Sequence, residues 1–288
     1  MKSPDLGQAV QFLAANARVV DLRRYERLFE GGEAQPVRDA VAAYRNPDGG
    51  FGHALEPDGR APVSQPAAAE LALRILHETD VWDEELVAGA CAWLEATAPA
   101  GGGVVFVDAS VDRWPHAPWW VPEPGPPASL AMTGLIAGTL HARQVRQPWL
   151  DRATKVMWDR IGQISEPTPY GMFGVLRFLQ YVADRDRARA VFGQIAPLIT
   201  DSGIVTLEPG ARGEVHTPLD FAPEPDSMGR GLFSEATIKA HLDHLAHAQL
   251  ADGGWTFNWL AWSPSAERDW RGYLTVDALR LLRANAYL

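Results

Sequence analysis

The sequence predicts an all-α protein, an α/α toroid of about five or six helical hairpins with its long loops gathered at one rim. Three observations carry this expectation. Strand-like alternation is nearly absent, and apolar residues recur at helical period along most of the 288 residues. Helices charged on one side alternate with helices that are apolar around most of their circumference. Glycines return at a steady interval: 53 residues separate Gly49 from Gly102, 101 separate Gly102 from Gly203, and 50 separate Gly203 from Gly253. A repeat of about 50 residues, one hairpin each, is how a closed or stacked helical array is written in sequence. One such domain is expected over residues 1–288.

The elements follow in order. Residues 17–30 are expected to form a helix that supplies an inner element. "PVRDAVAAYR" (36–45) opens with proline, which suits a first helical turn. "QPAAAELALRIL" (65–76) is apolar nearly all round, as a helix buried on every side must be. "DEELVAGACAWLEAT" (83–97) starts with acids that favour a helix N-terminus. The alternation continues through "PPASLAMTGLIAGTL" (126–140), "PWLDRATKVMWDRIGQI" (148–164), "TPYGMFGVLRFLQYV" (168–182) and "DRDRARAVFGQIAPLI" (184–199). "SEATIKAHLDHLAHAQL" (234–250) has Ser234 as its N-cap and sets Ile238, Leu242, Leu245 and Gln249 on one stripe. "GYLTVDALRLLRANA" (272–286) closes the buried set. The pattern breaks once, at 200–233, where Pro and Gly replace an expected inner helix. A stretch that long without helical pattern points to function, and it is expected to cross the mouth of the toroid.

Composition narrows the partners. The apolar share is 47%, ordinary for a soluble globular chain. Asp5, Arg18, Asp21 and Arg23 come too early for a signal peptide, and the longest weakly polar run, 128–142, is too short to span a bilayer. A cytoplasmic protein without integral membrane association is expected. A net charge of −10 repels phosphate and anionic lipid, which excludes nucleic acid as a main partner. One cysteine, Cys91, excludes an internal disulfide, and its helical setting points to packing.

Two corners repeat. "AAYRNPDGGF" (42–51) and "LAHAQLADGGW" (245–255) both place Asp-Gly-Gly-aromatic after a charged helix. The second resembles the QW repeat of squalene–hopene and oxidosqualene cyclases, whose α/α toroid is shared by protein prenyltransferase β subunits. The resemblance implies that Gln249 caps a neighbouring helix and that Trp255 stacks across the turn. At the first corner Arg45 replaces Gln and Phe51 replaces Trp. The resemblance implies the fold and not by itself an activity; taken with the aromatic loops and rim carboxylates it motivates a hydrophobic small-molecule substrate such as an isoprenoid. It departs from the family's chemistry twice: no Asp-x-Asp-Asp motif is present, and Cys91 has no zinc-binding neighbourhood.

The long loops 46–64, 98–127, 200–233 and 251–271 all follow charged helices, so alternating hairpins place them at one rim of a concavity suited to a ligand. Three share a vocabulary of His, apolar residues and Glu-Pro: "GHALEPDGRAP", "DRWPHAPWWVPEPGPP" and "EVHTPLDFAPEPDS". The candidate catalytic residues are Asp220, Glu224, Asp226, Glu56, Asp58, His53 and His216, with Glu123 in the same polar ring. An acid desolvated among aromatic rings holds its proton longer and serves as a general acid. The candidate substrate-binding residues are His116, Trp119, Trp120, Phe221, Trp259, Trp262 and Arg230. Seven of the eleven tryptophans (Trp114, Trp119, Trp120, Trp255, Trp259, Trp262 and Trp270) are expected in two irregular segments, where their faces would stabilise a cation.

Arg60, Arg113, Arg212, Arg268 and Arg271 accompany the loops as solubilising charge or as grips for an anion. His241, His244 and His247 in "HLDHLAH" fall off the inward stripe, so no metal site is expected from them. No phosphate loop, Gly-x-Ser-x-Gly elbow or dinucleotide fingerprint is visible, and no cofactor is expected. Three functions stay open: a terpenoid-cyclase-like or prenyltransferase-like enzyme, a carbohydrate-active enzyme with paired rim carboxylates, and a noncatalytic ligand-binding or scaffold protein.

Overall fold

The computed structural model describes residues 4–288. Among them the regular structure is helical, with isolated β-bridges and two short 3-10 turns. In chain order the helices are α1 (Leu6–Asn16), α2 (Val19–Phe29), α3 (Ala34–Ala42), α4 (Pro66–Glu78), α5 (Glu84–Thr97) and α6 (Leu130–Ala142). They continue as α7 (Pro148–Ile161), α8 (Pro169–Tyr181), α9 (Arg185–Asp201), α10 (Pro218–Phe221), α11 (Glu235–His247) and α12 (Pro264–Ala284). The chain forms two compact units. One is Ala34–Ile199; the other joins the N-terminal residues through Glu33 to Thr200–Leu288.

Local chemistry sets the helix starts. Asp5, Asp83, Ser129, Thr168, Ser234 and Ser263 each accept a backbone N–H from the first turn of the helix that follows. Pro66, Pro148, Pro169 and Pro264 stand in first turns, where a missing N–H costs nothing. Two boundaries differ from expectation. α1 was not legible as a helix, although Asp5 accepts the Gln8 N–H at 3.0 Å as its cap. α12 begins at Pro264 rather than at Gly272, so Trp270 lies in a helix and not in a loop.

In the unit Ala34–Ile199, α4, α6 and α8 lie side by side as one layer, and α5 and α7 pack against each other and on their own hairpin partners. This is the expected alternation of buried and charged helices. Small residues bring α6 and α8 together: a Cβ on Gly134 would stand 2.3 Å from the Gly174 carbonyl oxygen, and one on Gly138 2.5 Å from that of Arg177. Cys91 is buried on α5, and burial pushes its thiol up to about 12, which leaves it a packing residue.

In the other unit the first hairpin packs on the last: α1 and α2 both contact α12, and α12 contacts α11. The helix expected at 17–30 thus forms as α2 and stands beside α12. Phe12, Leu13, Ile238, Leu242, Trp255, Val276 and Leu279 make the core between them. The segment 200–233 contributes the single turn α10, whose Leu219 joins the same core.

The two corners are one structure written twice. In the first, the Asn46 N–H donates to the Gly50 carbonyl at 2.8 Å and Asp48 accepts the Gly50 N–H at 2.9 Å. In the second, the Leu250 N–H donates to the Gly254 carbonyl at 2.9 Å and Asp252 accepts the Gly254 N–H at 3.1 Å. Gly49 and Gly253 have φ of +90° and +92°, a region glycine reaches without penalty. Gly253 also presses on α1, where a Cβ would stand 2.2 Å from the Gln8 carbonyl oxygen.

Gln249 acts as a clasp. Its carboxamide accepts the Asp5 N–H at 2.7 Å and donates to the Asp5 and Gly253 carbonyls, both at 2.9 Å. It thereby holds the start of α1 to the corner. Trp255 is buried and donates to the Leu245 carbonyl at 2.9 Å. At the first corner Arg45 takes the place of Gln and bonds Glu85 in the first turn of α5 at 2.8 Å. Both corners therefore seat on the N-terminal end of another helix, α5 and α1 respectively.

Candidate functional site around Asp220

Asp220 ends the first turn of a four-residue helix, and its own cap holds it. The Thr217 N–H donates to Asp220 Oδ2 at 2.6 Å and the Thr217 hydroxyl donates to the same oxygen at 3.0 Å. The residue is reached by solvent, yet protein crowds the carboxyl from most sides. Desolvation raises its pKa above the ordinary 3.8; the Thr217 bonds and the charge of His216 oppose this, and the charge of Asp277 adds to it. Solvent contact moderates the size of the shift and leaves its sign. Asp220 is thus a water-accessible carboxyl whose pKa lies above the ordinary 3.8.

α12 connects this acid to an aromatic chain. Trp270, Tyr273, Asp277 and Arg280 succeed one another at three- and four-residue steps, so they share one face of the helix. At one end, Phe257 stacks on Trp259 with ring centroids 4.4 Å apart, Trp259 meets the edge of Trp270 at 5.6 Å, and Trp270 meets Tyr273 at 5.8 Å. The Arg24 guanidinium lies 4.4 Å over the Tyr273 ring and bonds the fully buried Asp21 at 3.1 Å. At the other end, Arg280 bonds Asp277 at 3.2 Å and also bonds Glu224. His241 lies near Asp220, and burial lowers its pKa while the Leu207 carbonyl and Asp220 oppose that shift.

The remaining candidates in this unit divide. Glu224 is engaged by Arg280, and Arg230 donates to Asn285 at 3.0 Å. Phe221 is buried and meets Phe233 edge-on at 6.5 Å, so its ring belongs to the core and not to a ligand surface. Asp226 is exposed, and Trp262 is half-buried. His241 was expected on a solvated face; it is buried and donates to the Leu207 carbonyl at 3.1 Å. His244 touches Gly210, so both histidines seat the segment 207–210 on α11.

A second group of candidates lies in the unit Ala34–Ile199, where the loops 46–64 and 98–127 join. Gly59 bridges His116, and Trp120 is buried against Gly59. The Asp58 carboxylate accepts the Trp119 indole N–H at 3.0 Å, and the Asp58 carbonyl accepts the Ala117 N–H at 2.7 Å. Glu56 accepts the Asp58 N–H at 2.8 Å, His53 donates to Asn46 at 2.9 Å, and His116 donates to the Trp114 carbonyl at 2.7 Å. Glu123 is exposed. These bonds bind two loops into one piece, which makes the polar side chains structural partners of the backbone. Trp119 keeps an exposed face and Trp120 does not.

Sequence reasoning missed the polar residues on helices read as apolar. Asp21 with Arg24 on α2 is a fully buried ion pair, Glu70 on α4 is buried and bonds the half-exposed Arg74 at 3.1 Å, and Asp277 with Arg280 on α12 is half-buried. The available signal was the helical spacing of Trp270, Tyr273, Asp277 and Arg280. Among the described residues no group of three His, Cys, Asp or Glu side chains converges as a metal site requires, and no helix is long and apolar enough to cross a membrane.

No protein-family model and no curated protein matches the chain. A crystal structure of a protein from Actinoplanes matches with a TM-score of 0.59 and 15% sequence identity, covering 98% of each chain. The likeness runs the whole length of both proteins, and at that identity it shows a shared all-α fold.

Proposed function

We propose that this protein is a cytoplasmic enzyme on an α/α toroid that acts by acid/base chemistry on an isoprenoid or other hydrophobic small molecule. The observation that carries the reading is Asp220: a carboxyl reached by solvent, held by its own cap, and pushed toward its protonated form by desolvation. In this reading Asp220 protonates a carbon–carbon double bond or an ether oxygen of the substrate. The cation so formed is stabilised by the partly exposed rings at the Phe257–Trp259–Trp270 end of the aromatic chain. Loss of a proton from the rearranged cation back to the Asp220 carboxylate restores the enzyme. The net change is an isomerisation or cyclisation that consumes nothing else. The QW-like clasp of Gln249 and Trp255 supports the choice of fold.

A carbohydrate substrate is the second reading, because the charge of Asp277 acts on Asp220 and the two make a pair of interacting carboxylates. The two separate in one experiment. The purified protein is incubated with a panel of polyprenyl compounds and a panel of oligosaccharides, with Asp220→Asn as control, and products are read by mass spectrometry. Rearranged polyprenyl products that vanish in the variant support the first reading. Hydrolysed sugars support the second, and no turnover of either panel leaves a binding protein.

A further inference from the structure

The acid proposed above sits on a short element. α10 is one turn, too short to hold its own shape. Leu219 and Phe221 seat it in the core, and α12 grips the chain that follows at two points. Asn285 donates to the Pro223 carbonyl at 2.9 Å, and Arg280 bonds the Glu224 carboxylate. The same guanidinium donates through Nε to Asp277 Oδ1 at 3.2 Å. One side chain thus holds both a residue just past the Asp220 turn and the α12 carboxylate whose charge acts on Asp220.

We propose that Arg280 is the positioning residue of this site, latching the Asp220 turn to α12 and holding Asp277 as a paired carboxylate beside it. The inference rests on the acid reading of Asp220 and adds the device that sets its strength. The groups that interact electrostatically with Asp220 are Asp277 on α12, His241 on α11 and His216 in the preceding chain. Of these, Arg280 neutralises Asp277. Without the guanidinium the Asp277 charge acts on Asp220 undiminished, and Asp220 holds its proton to higher pH. A latch with no electrostatic role does the opposite: loosening the turn admits water, and Asp220 returns toward ordinary carboxylate behaviour.

The test is the carboxyl ¹³C NMR titration of Asp220 in the full chain, assigned by its absence in Asp220→Asn. Arg280→Met is expected to raise the Asp220 midpoint by about half a pH unit or more, Asp277→Asn to lower it, and the double variant to lose the rise. If Arg280→Met does not fold, Arg280→Gln keeps a donor and carries the same test. A midpoint unchanged or lowered in the folded Arg280 variant overturns the inference. The measurement needs no substrate, so the two readings fail separately. The expected shifts without turnover of either panel retain the role of Arg280 and remove the enzyme. Turnover that depends on Asp220, with an unmoved midpoint in the Arg280 variant, removes Arg280 alone.

Discussion

At Asp220 the same carboxyl meets three demands. It caps its own turn through Thr217, it meets solvent, and desolvation makes its charge costly. A group so placed trades stability for proton affinity. Its folded pKa is raised, so the folded state binds the proton more tightly than the unfolded chain. The stability it contributes is present below pH 3.8 and is lost as pH rises through the folded value. Asp220→Asn removes that loss. The variant is expected to melt higher than the wild type at pH 7, with the difference vanishing toward pH 4, as calorimetry across that range will show. Its turnover of any substrate is expected to fall by about 10²–10⁴-fold. Asp220 was legible from its loop vocabulary and its proline neighbours. Phe221 and Trp120 were not, because an aromatic in an irregular segment looks the same in sequence whether it faces a ligand or closes a core.

Among the elements, the corners carry the clearest consequences. Gln249 makes three hydrogen bonds that join α1 to the turn after α11. They are partly open to water, so Gln249→Ala is expected to cost about 1–2 kcal/mol in urea unfolding. Gly253→Ala places a methyl against the Gln8 backbone at a φ of +92°, and is expected to cost more than about 2 kcal/mol. Both corners were readable because glycine spacing reports backbone demand directly. α12 was read short for a physical reason. Its first turns, "PSAERDWRG", are polar and aromatic, and they hide the helical period that the apolar half shows. Asp277 and Arg280 were passed over for the converse reason: they sit in a run dominated by leucine, and only their spacing from Trp270 and Tyr273 sets them on one face. α1 left a single sign, the Asp5 cap, which is weak without knowledge that Gln249 would meet it.

Over the whole molecule, helix class and the alternation of buried and charged helices were written in the hydrophobic period, and the full-length likeness to the Actinoplanes protein agrees with an all-α chain. What no pattern exposes is which polar groups are taken inside. His141 lies in one unit and His241 in the other, and burial lowers the pKa of each below 6.5. A depressed histidine contributes stability that is full above pH 6.5 and is lost as pH falls through the folded value. The melting temperature is therefore expected to fall between pH 7 and pH 5, and the fall is expected to flatten in a His141→Gln/His241→Gln variant.

The proton on Asp220 is the point on which the functional account turns. Its carboxyl ¹³C titration in the wild-type chain, read as the difference from Asp220→Asn, is predicted to show a midpoint above 3.8. A midpoint at or below 3.8 would mean an ordinary ionised cap residue, and the acid proposed here would be contradicted.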